Sequence, residues 1–254
     1  MLVPRVIPSL FIVGSRLINT VNFRESRYLG DPLNAIRIFN EKQADELVIF
    51  SSTPLNEPRF QYLSKLSSAC RMPVTYGGCI ETLDQARRLI DLGFEKVSFS
   101  TAVISNPQLI DEVSDIIGAQ SVTLTLNLKK NLFGSYSIFS SRSKIYRSSS
   151  EVFTTLSTRN FGELILYSVN NDGTKRGYDL ETLKLVPRSI HYRVNTILMG
   201  GLDSYKTIES LASTHSSLAF GGTSLFVYSG QLDAVLINYN HPFLPLKSPC
   251  CFSR

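Results

Sequence analysis

Eight short apolar runs, separated by stretches with helical periodicity, constrain the fold of this chain most strongly. Most of them are continuously apolar, which is typical of parallel strands buried on both faces. Strands that alternate with helices indicate an α/β fold, and eight such units in 254 residues fit a single-domain (β/α)8 TIM barrel. An open doubly wound sheet is the alternative, although the near-regular spacing favours closure. The runs cover residues 6–13, 46–52, 73–78, 96–101, 121–128, 163–169, 195–201 and 216–220.

Capping signals predict where helices begin between these runs. Asp31 is followed by Pro32, the usual pair at the start of a helix. Residues 82–85 and 105–108 both carry the Thr/Ser-x-x-Gln pattern of a capping box. A further helical pattern begins at Asp179.

One segment interrupts the alternation of strands and helices. Residues 129–140 have the alternating pattern of a small hairpin, which would lie over the barrel mouth. Long loops at that face usually serve substrate binding. An alternative interpretation makes the serine-rich residues 140–150 a flexible linker.

Composition favours a cytoplasmic protein that neither spans nor binds a membrane. The chain is 43% hydrophobic, but no apolar run approaches the ~20 residues of a membrane span. Its N-terminus lacks the layout of a signal peptide. Cys70, Cys79, Cys250 and Cys251 lack metal-ligand spacing, so we expect free thiols and no metal or other cofactor. The tail after residue 240 has no recognisable pattern.

The net charge of +5 favours a small anionic substrate over nucleic acid. Lysines and arginines are scattered, and no basic run or ladder of aromatic and basic residues marks a nucleic-acid surface. A phosphorylated small molecule accounts for the excess charge equally well, and glycine turns suit such an anion.

A faint internal repeat divides the barrel into two halves, roughly residues 1–120 and 121–240, before the tail 241–254. Each half has a Gly-Gly turn followed one unit later by a hydroxyl-rich strand end. Exposed N–H groups ahead of a helix N-terminus bind anions, so two phosphate sites are expected; tight packing of the turns is the alternative explanation. The candidate phosphate contacts are Gly78, Ser100, Thr101, Gly173, Gly201, Gly222 and Thr223.

The loop 168–179 follows the buried run 163–169 and carries Asp172 between polar residues and two glycines. Ligand chemistry in α/β proteins is concentrated at such strand ends. Asp172 is therefore the candidate general acid or base, although Asp-Gly is also common in ordinary turns.

Four charged residues begin strands at the opposite end of the barrel: Arg5, Glu46, Lys96 and Glu163. Charges at the N-terminal ends of barrel strands usually cap the core as a salt-bridged plug. The alternative is a gate into the barrel interior.

Taken together, these features resemble the cyclase subunit of imidazole glycerol phosphate synthase. The resemblance runs nearly end to end and implies a (β/α)8 barrel with two phosphate sites. It also implies a glutaminase subunit at the barrel bottom, with ammonia passing a gate formed by the four charged residues. The matching segments are 5–8, 21–23, 30–32, 45–47, 77–78, 95–98, 106–107, 172–174 and 177–179.

The mouth departs from the family pattern. The two essential aspartates of the family correspond here to Phe11 and Asn127. Neither residue transfers protons usefully, so the original ring-closing lyase reaction would be hard to sustain. Other departures are Asn19 for a lysine, Asn170 for an aspartate, Cys79 for a glycine, and Phe50-Ser-Ser52 where the second strand normally carries an aspartate.

A second branch of the family fits better. Segments 36–41, 129–134 and 234–239 look like barrel subunits that act with a glutaminase in making acetamidino sugars for surface polysaccharides. The resemblance therefore implies an ammonia-using synthase subunit acting on a phosphorylated or nucleotide-linked sugar. The alternatives are imidazole glycerol phosphate synthesis in histidine biosynthesis, and an inactive scaffold that binds a glutaminase.

Overall fold

The computed structural model describes residues 3–230 and 232–243, except for the side chain of Glu25. Cys250, Cys251 and most of the tail 241–254 lie outside the described residues. The strands are β1 (Val6–Val13), β2 (Arg16–Val21), β3 (Glu25–Gly30), β4 (Leu47–Ser51), β5 (Val74–Gly77), β6 (Lys96–Phe99), β7 (Val122–Lys130), β8 (Tyr136–Phe139), β9 (Tyr146–Ser148), β10 (Glu163–Ser168), β11 (Asn195–Met199), β12 (Leu218–Gly222), β13 (Tyr228–Ser229) and β14 (Ala234–Val235). The α-helices are α1 (Pro32–Glu41), α2 (Glu57–Ala69), α3 (Leu83–Asp91), α4 (Thr101–Ser105), α5 (Gln108–Ile117), α6 (Ser149–Leu156), α7 (Arg188–His191), α8 (Tyr205–Thr214) and α9 (Ser224–Val227).

Eight parallel strands close into a barrel, which confirms the predicted (β/α)8 fold. Their order is β10-β11-β12-β1-β4-β5-β6-β7, and β7 pairs with β10 to complete the circle. All eight predicted runs form these strands, with ends that differ by a few residues. The predicted boundary between half-barrels falls between β6 and β7, and the two-fold repeat itself stays a prediction.

Alternation along each strand creates two separate apolar cores. Outward-facing residues such as Val6, Leu10 and Ile12 pack under the helices in the large core. A smaller cluster contains Ile7 and Val48, whose positions place them on the inward face, and it fills the middle of the barrel. Side chains therefore fill the middle of the barrel, and the ends of the strands are left for polar chemistry.

The β2–β3 hairpin extends from β1, because Phe11–Val13 also pair antiparallel with β2. A second antiparallel extension joins β7, β8 and β9, which confirms the hairpin predicted within residues 129–140. The flexible-linker interpretation of residues 140–150 is wrong, since that segment contains β9 and the start of α6.

The helix-start predictions had mixed outcomes. Asp31 and Thr82 cap α1 and α3, each accepting a backbone N–H three residues later. The capping box predicted at 105–108 is wrong: Ser105 is the last residue of α4, its hydroxyl bonds to the Thr101 carbonyl, and Pro107 precedes α5. The pattern that begins at Asp179 forms a 3-10 helix, Leu180–Leu185, and not an α-helix.

Within the described part of the chain, no helix has both the length and the apolar character needed to cross a membrane.

Candidate functional site

The C-terminal ends of the barrel strands surround a cavity of about 610 Å³. It descends into the barrel as far as Ser98 and Thr125, two residues whose hydroxyls lie 2.7 Å apart. Cavities at this end are where barrel enzymes bind substrates. The cavity is therefore the candidate active site.

One side of the cavity is an aromatic wall made of Phe11, Phe23, Phe50 and Tyr167. Phe11 and Phe50 are direct neighbours in the β1–β4 register. Tyr167 meets Phe23 and Phe50 edge-on, with ring centroids 5.1 and 6.1 Å away. Phe11, predicted at a catalytic acid position, thus belongs to an apolar surface that can contact a sugar or base face but cannot transfer protons.

Asn127, predicted at the second acid position, is buried and held by two hydrogen bonds. Its amide nitrogen donates to Ser100 Oγ at 2.9 Å and to the Phe139 carbonyl at 3.2 Å. The Phe139 carbonyl can only accept, so it fixes the orientation of the amide. Only the Asn127 oxygen is left for a ligand, and this atom can accept a hydrogen bond but cannot supply a proton.

Asp172 is buried, with 4% of its surface exposed, and its carboxylate is surrounded by three donors. Tyr167 donates to Oδ1 at 2.8 Å, while the Thr20 hydroxyl and the Phe23 N–H donate to Oδ2 at 2.7 and 3.1 Å. Burial raises the pKa of Asp172, and the three hydrogen bonds oppose that shift. Because all three partners donate, a carboxylate satisfies them best, and it fastens the β2–β3 hairpin to the end of β10.

The predicted phosphate contacts fall into two groups on different sides of the mouth. Gly78, Ser100 and Thr101 line the large cavity. The others line a narrow cleft beside Asp172: Gly173, Gly201, Gly222 and Thr223, of which Thr223 also borders the large cavity. The grouping matches the expectation of one anion site in each half, and the phosphate contacts themselves stay a prediction.

Lys175 is a site residue that the sequence reasoning missed. It lines the same cleft, forms an ion pair with Asp233, and lies 5.2 Å from the centre of the Tyr228 ring. A lysine three residues after Asp172 was a usable signal. Its ammonium group lies next to the glycines of the cleft, with Asp233 as its counter-ion.

A substitution at Gly78 tests how closely its backbone approaches the neighbouring strand end. Its φ is +135°, and a Cβ there would lie 1.9 Å from the Ser51 carbonyl oxygen. Gly30 has nearly the same φ of +136° but open space around it, so it is a matched control. In urea unfolding we expect Gly78→Ala to cost about 1–3 kcal/mol more than Gly30→Ala, the typical cost of overpacking. Equal losses in the two variants would contradict this close approach.

At the opposite end of the barrel, Arg5, Glu46, Lys96 and Glu163 meet in a group that we call the base ring. Arg5 Nη1 lies 2.7 Å from both glutamates, and Lys96 Nζ lies 3.0 Å from Glu163 and 3.6 Å from Glu46. Burial lowers the pKa of Arg5, and the two glutamates raise it by more. The structure therefore brings all four predicted residues together.

A column of hydroxyls rises from the base ring toward the mouth along β6 and β7. Thr123 is the register partner of Glu163, and its buried hydroxyl has no hydrogen-bond partner. Thr125 and Ser98 lie on the same inward face and reach the cavity. Asn127 and Ser100 follow at the top. The interior is thus polar along this side and apolar around Ile7, Val48 and Ile165.

Among the described residues, no three His, Cys, Asp or Glu side chains lie close enough together to hold a metal ion.

Comparison with known proteins identifies the family. A family model described as "Histidine biosynthesis protein" matches residues 5–233. A Vibrio vulnificus protein named "Putative imidazole glycerol phosphate synthase subunit hisF3" is 39% identical over 248 residues, which cover 95% of each chain. The chain belongs to the imidazole glycerol phosphate synthase cyclase-subunit family. A similarly named Leptospira interrogans protein is 40% identical over 94% of this chain and 96% of its own length.

Sequence identity is lower to a relative whose name does not contain the word "Putative". The imidazole glycerol phosphate synthase subunit of Alkaliphilus metalliredigens is 30% identical over 234 residues, which cover 90% of this chain and 92% of that protein. Cyclase subunits of this family work with a glutaminase partner. In this cyclase-family barrel the base ring is assembled, and Phe11 and Asn127, predicted at the acid positions, line the cavity of the mouth.

Proposed function

We propose that this barrel is an ammonia-using synthase subunit that acts with a glutaminase on a phosphorylated or nucleotide-linked sugar, in the synthesis of acetamidino sugars for surface polysaccharides. One observation carries the proposal: the base ring is fully assembled, whereas the two proton-transfer positions of the mouth hold Phe11 and Asn127. Such a barrel would keep ammonia entry and lack two of the acid–base groups that ring closure needs.

The barrel interior supports a path for ammonia. The glutaminase would dock at the N-terminal ends of the strands, where the base ring lies. Ammonia that passes the ring would meet the hydroxyls of Thr123, Thr125 and Ser98, which can exchange hydrogen bonds with it. These hydroxyls lead to the floor of the cavity, where the acceptor substrate would lie.

The mouth suits a sugar derivative with anionic groups. The aromatic wall offers apolar faces to a sugar ring or a nucleobase. Phosphates would bind at Ser100 and Thr101 on one side and at Gly173, Gly201 and Thr223 on the other, with Gly78 and Gly222 allowing close approach. Lys175, which is paired with Asp233, lies at the second group and can donate to a phosphate there.

The reaction replaces an oxygen of an acetamido group by nitrogen. The ammonia nitrogen forms a bond to the amide carbon, and the C–O bond breaks. The oxygen leaves as water, or as phosphate if a nucleoside triphosphate has first phosphorylated it. Asp172, which lines the cleft beside the cavity, is the candidate to accept a proton from the attacking ammonia, and burial raises its pKa.

An assay of ring closure separates this proposal from histidine biosynthesis. The barrel is given free ammonium and the phosphoribulosyl-formimino adduct of aminoimidazole-carboxamide ribonucleotide, which imidazole glycerol phosphate synthases split, beside the Alkaliphilus metalliredigens relative as a positive control. Because each lost acid or base costs about 10²–10⁴ in rate, we expect turnover near background. Turnover comparable to the control, and lost in Asp172→Ala, would overturn the proposal in favour of the ring-closing enzyme.

A further inference from the structure

One ion pair lies in the wall of the large cavity. Arg142 Nη1 lies 2.6 Å from Glu81 Oε1, and both residues line the cavity. Of the described residues around this cavity, these two are the only ones that carry a charge at neutral pH. Asp172 and Lys175 line the narrow cleft instead. Arg142 is therefore the described cation that an anionic group would meet in the large cavity.

The turn between β8 and β9, residues 140–145, positions Arg142. Ser140 at its start is fully buried, and its Oγ lies 3.1 Å from Thr101 Oγ1 at the start of α4. The Ser140 N–H donates to the Ile145 carbonyl at 3.0 Å, which closes the turn. The turn is thus attached next to the end of β6, and Arg142 lies two residues beyond that attachment.

The contact with Glu81 leaves Arg142 able to bind a ligand. It joins one guanidinium nitrogen to one carboxylate oxygen, whereas a guanidinium has five N–H donors and can bind a carboxylate or phosphate with two of them. The side chain of Arg142 is 43% exposed and that of Glu81 is 57% exposed, and ion pairs at such sites contribute little to stability. An anion of the substrate can therefore share the guanidinium or replace Glu81.

We propose that Arg142 binds an anionic group of the substrate, a carboxylate or a phosphate, in the large cavity, and that Glu81 competes with this group for the guanidinium. Arg142 is then a specificity residue that favours a charged sugar over a neutral one. As a contact to the same substrate it rests on the proposed function, but anion binding requires neither ammonia nor a glutaminase. An Arg142 variant can lose anion binding whether or not the barrel transfers nitrogen to a sugar, so the two proposals fail separately.

Two substitutions change this pair in opposite directions. Arg142→Gln removes the cation, whereas Glu81→Gln removes its competitor and leaves the cation in place. The pair of Arg88 with Glu57 is the matched control, because its side chains are 40% and 59% exposed and line neither the cavity nor the cleft. Calorimetry with D-glucuronate, glucose 1-phosphate and glucose, at constant ionic strength, measures binding to wild type, both variants, the double variant, Arg88→Gln and Glu57→Gln.

We expect Glu81→Gln to bind at least one of the two anions about tenfold more tightly than glucose, as a charge-assisted hydrogen bond would give, and more tightly than wild type binds it. Arg142→Gln and the double variant should lose most of that preference, and the control variants should bind as wild type does. Changes confined to glucuronate assign Arg142 to carboxylates, and changes confined to glucose 1-phosphate assign it to phosphates.

Three results would overturn the proposal. The first is unchanged anion binding in Arg142→Gln, and the second is a Glu81→Gln variant that binds neither anion more tightly than wild type. The third is an equal change in the Arg88 and Glu57 variants, which would show that only the net charge of the protein matters.

Discussion

Replacing Glu163 by glutamine is expected to destabilise the barrel by up to about 3 kcal/mol, because it leaves two partly buried cations with one carboxylate between them. Glu163 is the least exposed member of the base ring, with 5% of its side chain accessible, and it contacts both Arg5 and Lys96. Its Oε2 has no hydrogen-bond partner, so Oε1 carries both contacts. The loss would appear as a lower midpoint in urea unfolding followed by circular dichroism.

An exposed ion pair is the control for that experiment. Glu181 contacts Lys184 one helical turn away, and both side chains are more than half exposed. Exposed pairs contribute little, so Glu181→Gln should leave the unfolding midpoint unchanged. If Glu163→Gln lost no more stability than Glu181→Gln, the base ring would not be the coupled network that its distances indicate.

Replacing Asp172 by asparagine is expected to have the largest effect on activity. The amide would turn one donor toward Thr20, Phe23 or Tyr167, each of which already donates. A buried donor left unsatisfied costs about 1–3 kcal/mol, and the β2–β3 hairpin would lose its attachment. If Asp172 also accepts the proton of the attacking ammonia, product formation should fall by about 10²–10⁴.

Two variants separate these contributions. Tyr167→Phe removes one hydrogen bond but keeps the carboxylate, so it should lose far less activity than Asp172→Asn. Asp203→Asn changes an exposed carboxylate that follows β11, and this variant should lose no activity. Equal activity in Asp172→Asn and wild type would show that Asp172 only holds the hairpin.

The raised pKa of Asp172 also predicts a pH dependence of stability. The folded state holds the proton of Asp172 more tightly than the unfolded chain does. The resulting contribution to the free energy of unfolding is complete below the unfolded pKa, and it is lost as pH rises through the folded pKa. Asp172→Asn lacks that slope, so the gap in unfolding free energy between wild type and variant should narrow as pH rises from about 4 to 7. A gap that widened over this range would mean that the three hydrogen bonds outweigh burial and lower the pKa.

The barrel could be predicted from the sequence because strands that are buried in a barrel need apolar residues, and these appear in the sequence as runs. All eight strands follow from apolar runs, most of them continuous, and the base ring follows from charges at the starts of those runs. The capping pattern at 105–108 failed because Ser105 already ends α4, a short helix that local propensity does not show.

Contacts between distant residues could not be predicted in the same way. Thr20 and Asp172 are 152 positions apart, and nothing in either segment indicates that the hairpin donates to the carboxylate. Arg59 lies in a helix with many polar residues, where a lone arginine normally indicates a solvated face. Only the structure shows that it is buried behind Ser51.

The most direct test of the proposed function follows nitrogen from ammonia into a sugar. The barrel, with its glutaminase where available, is incubated with nucleotide-linked N-acetyl sugars, adenosine triphosphate and ¹⁵N-ammonium, and the products are analysed by mass spectrometry. We expect one ¹⁵N atom in place of the amide oxygen, in wild type and Asp203→Asn but not in Asp172→Asn. No labelled sugar from a preparation that does split the phosphoribulosyl-formimino adduct of aminoimidazole-carboxamide ribonucleotide would contradict the account.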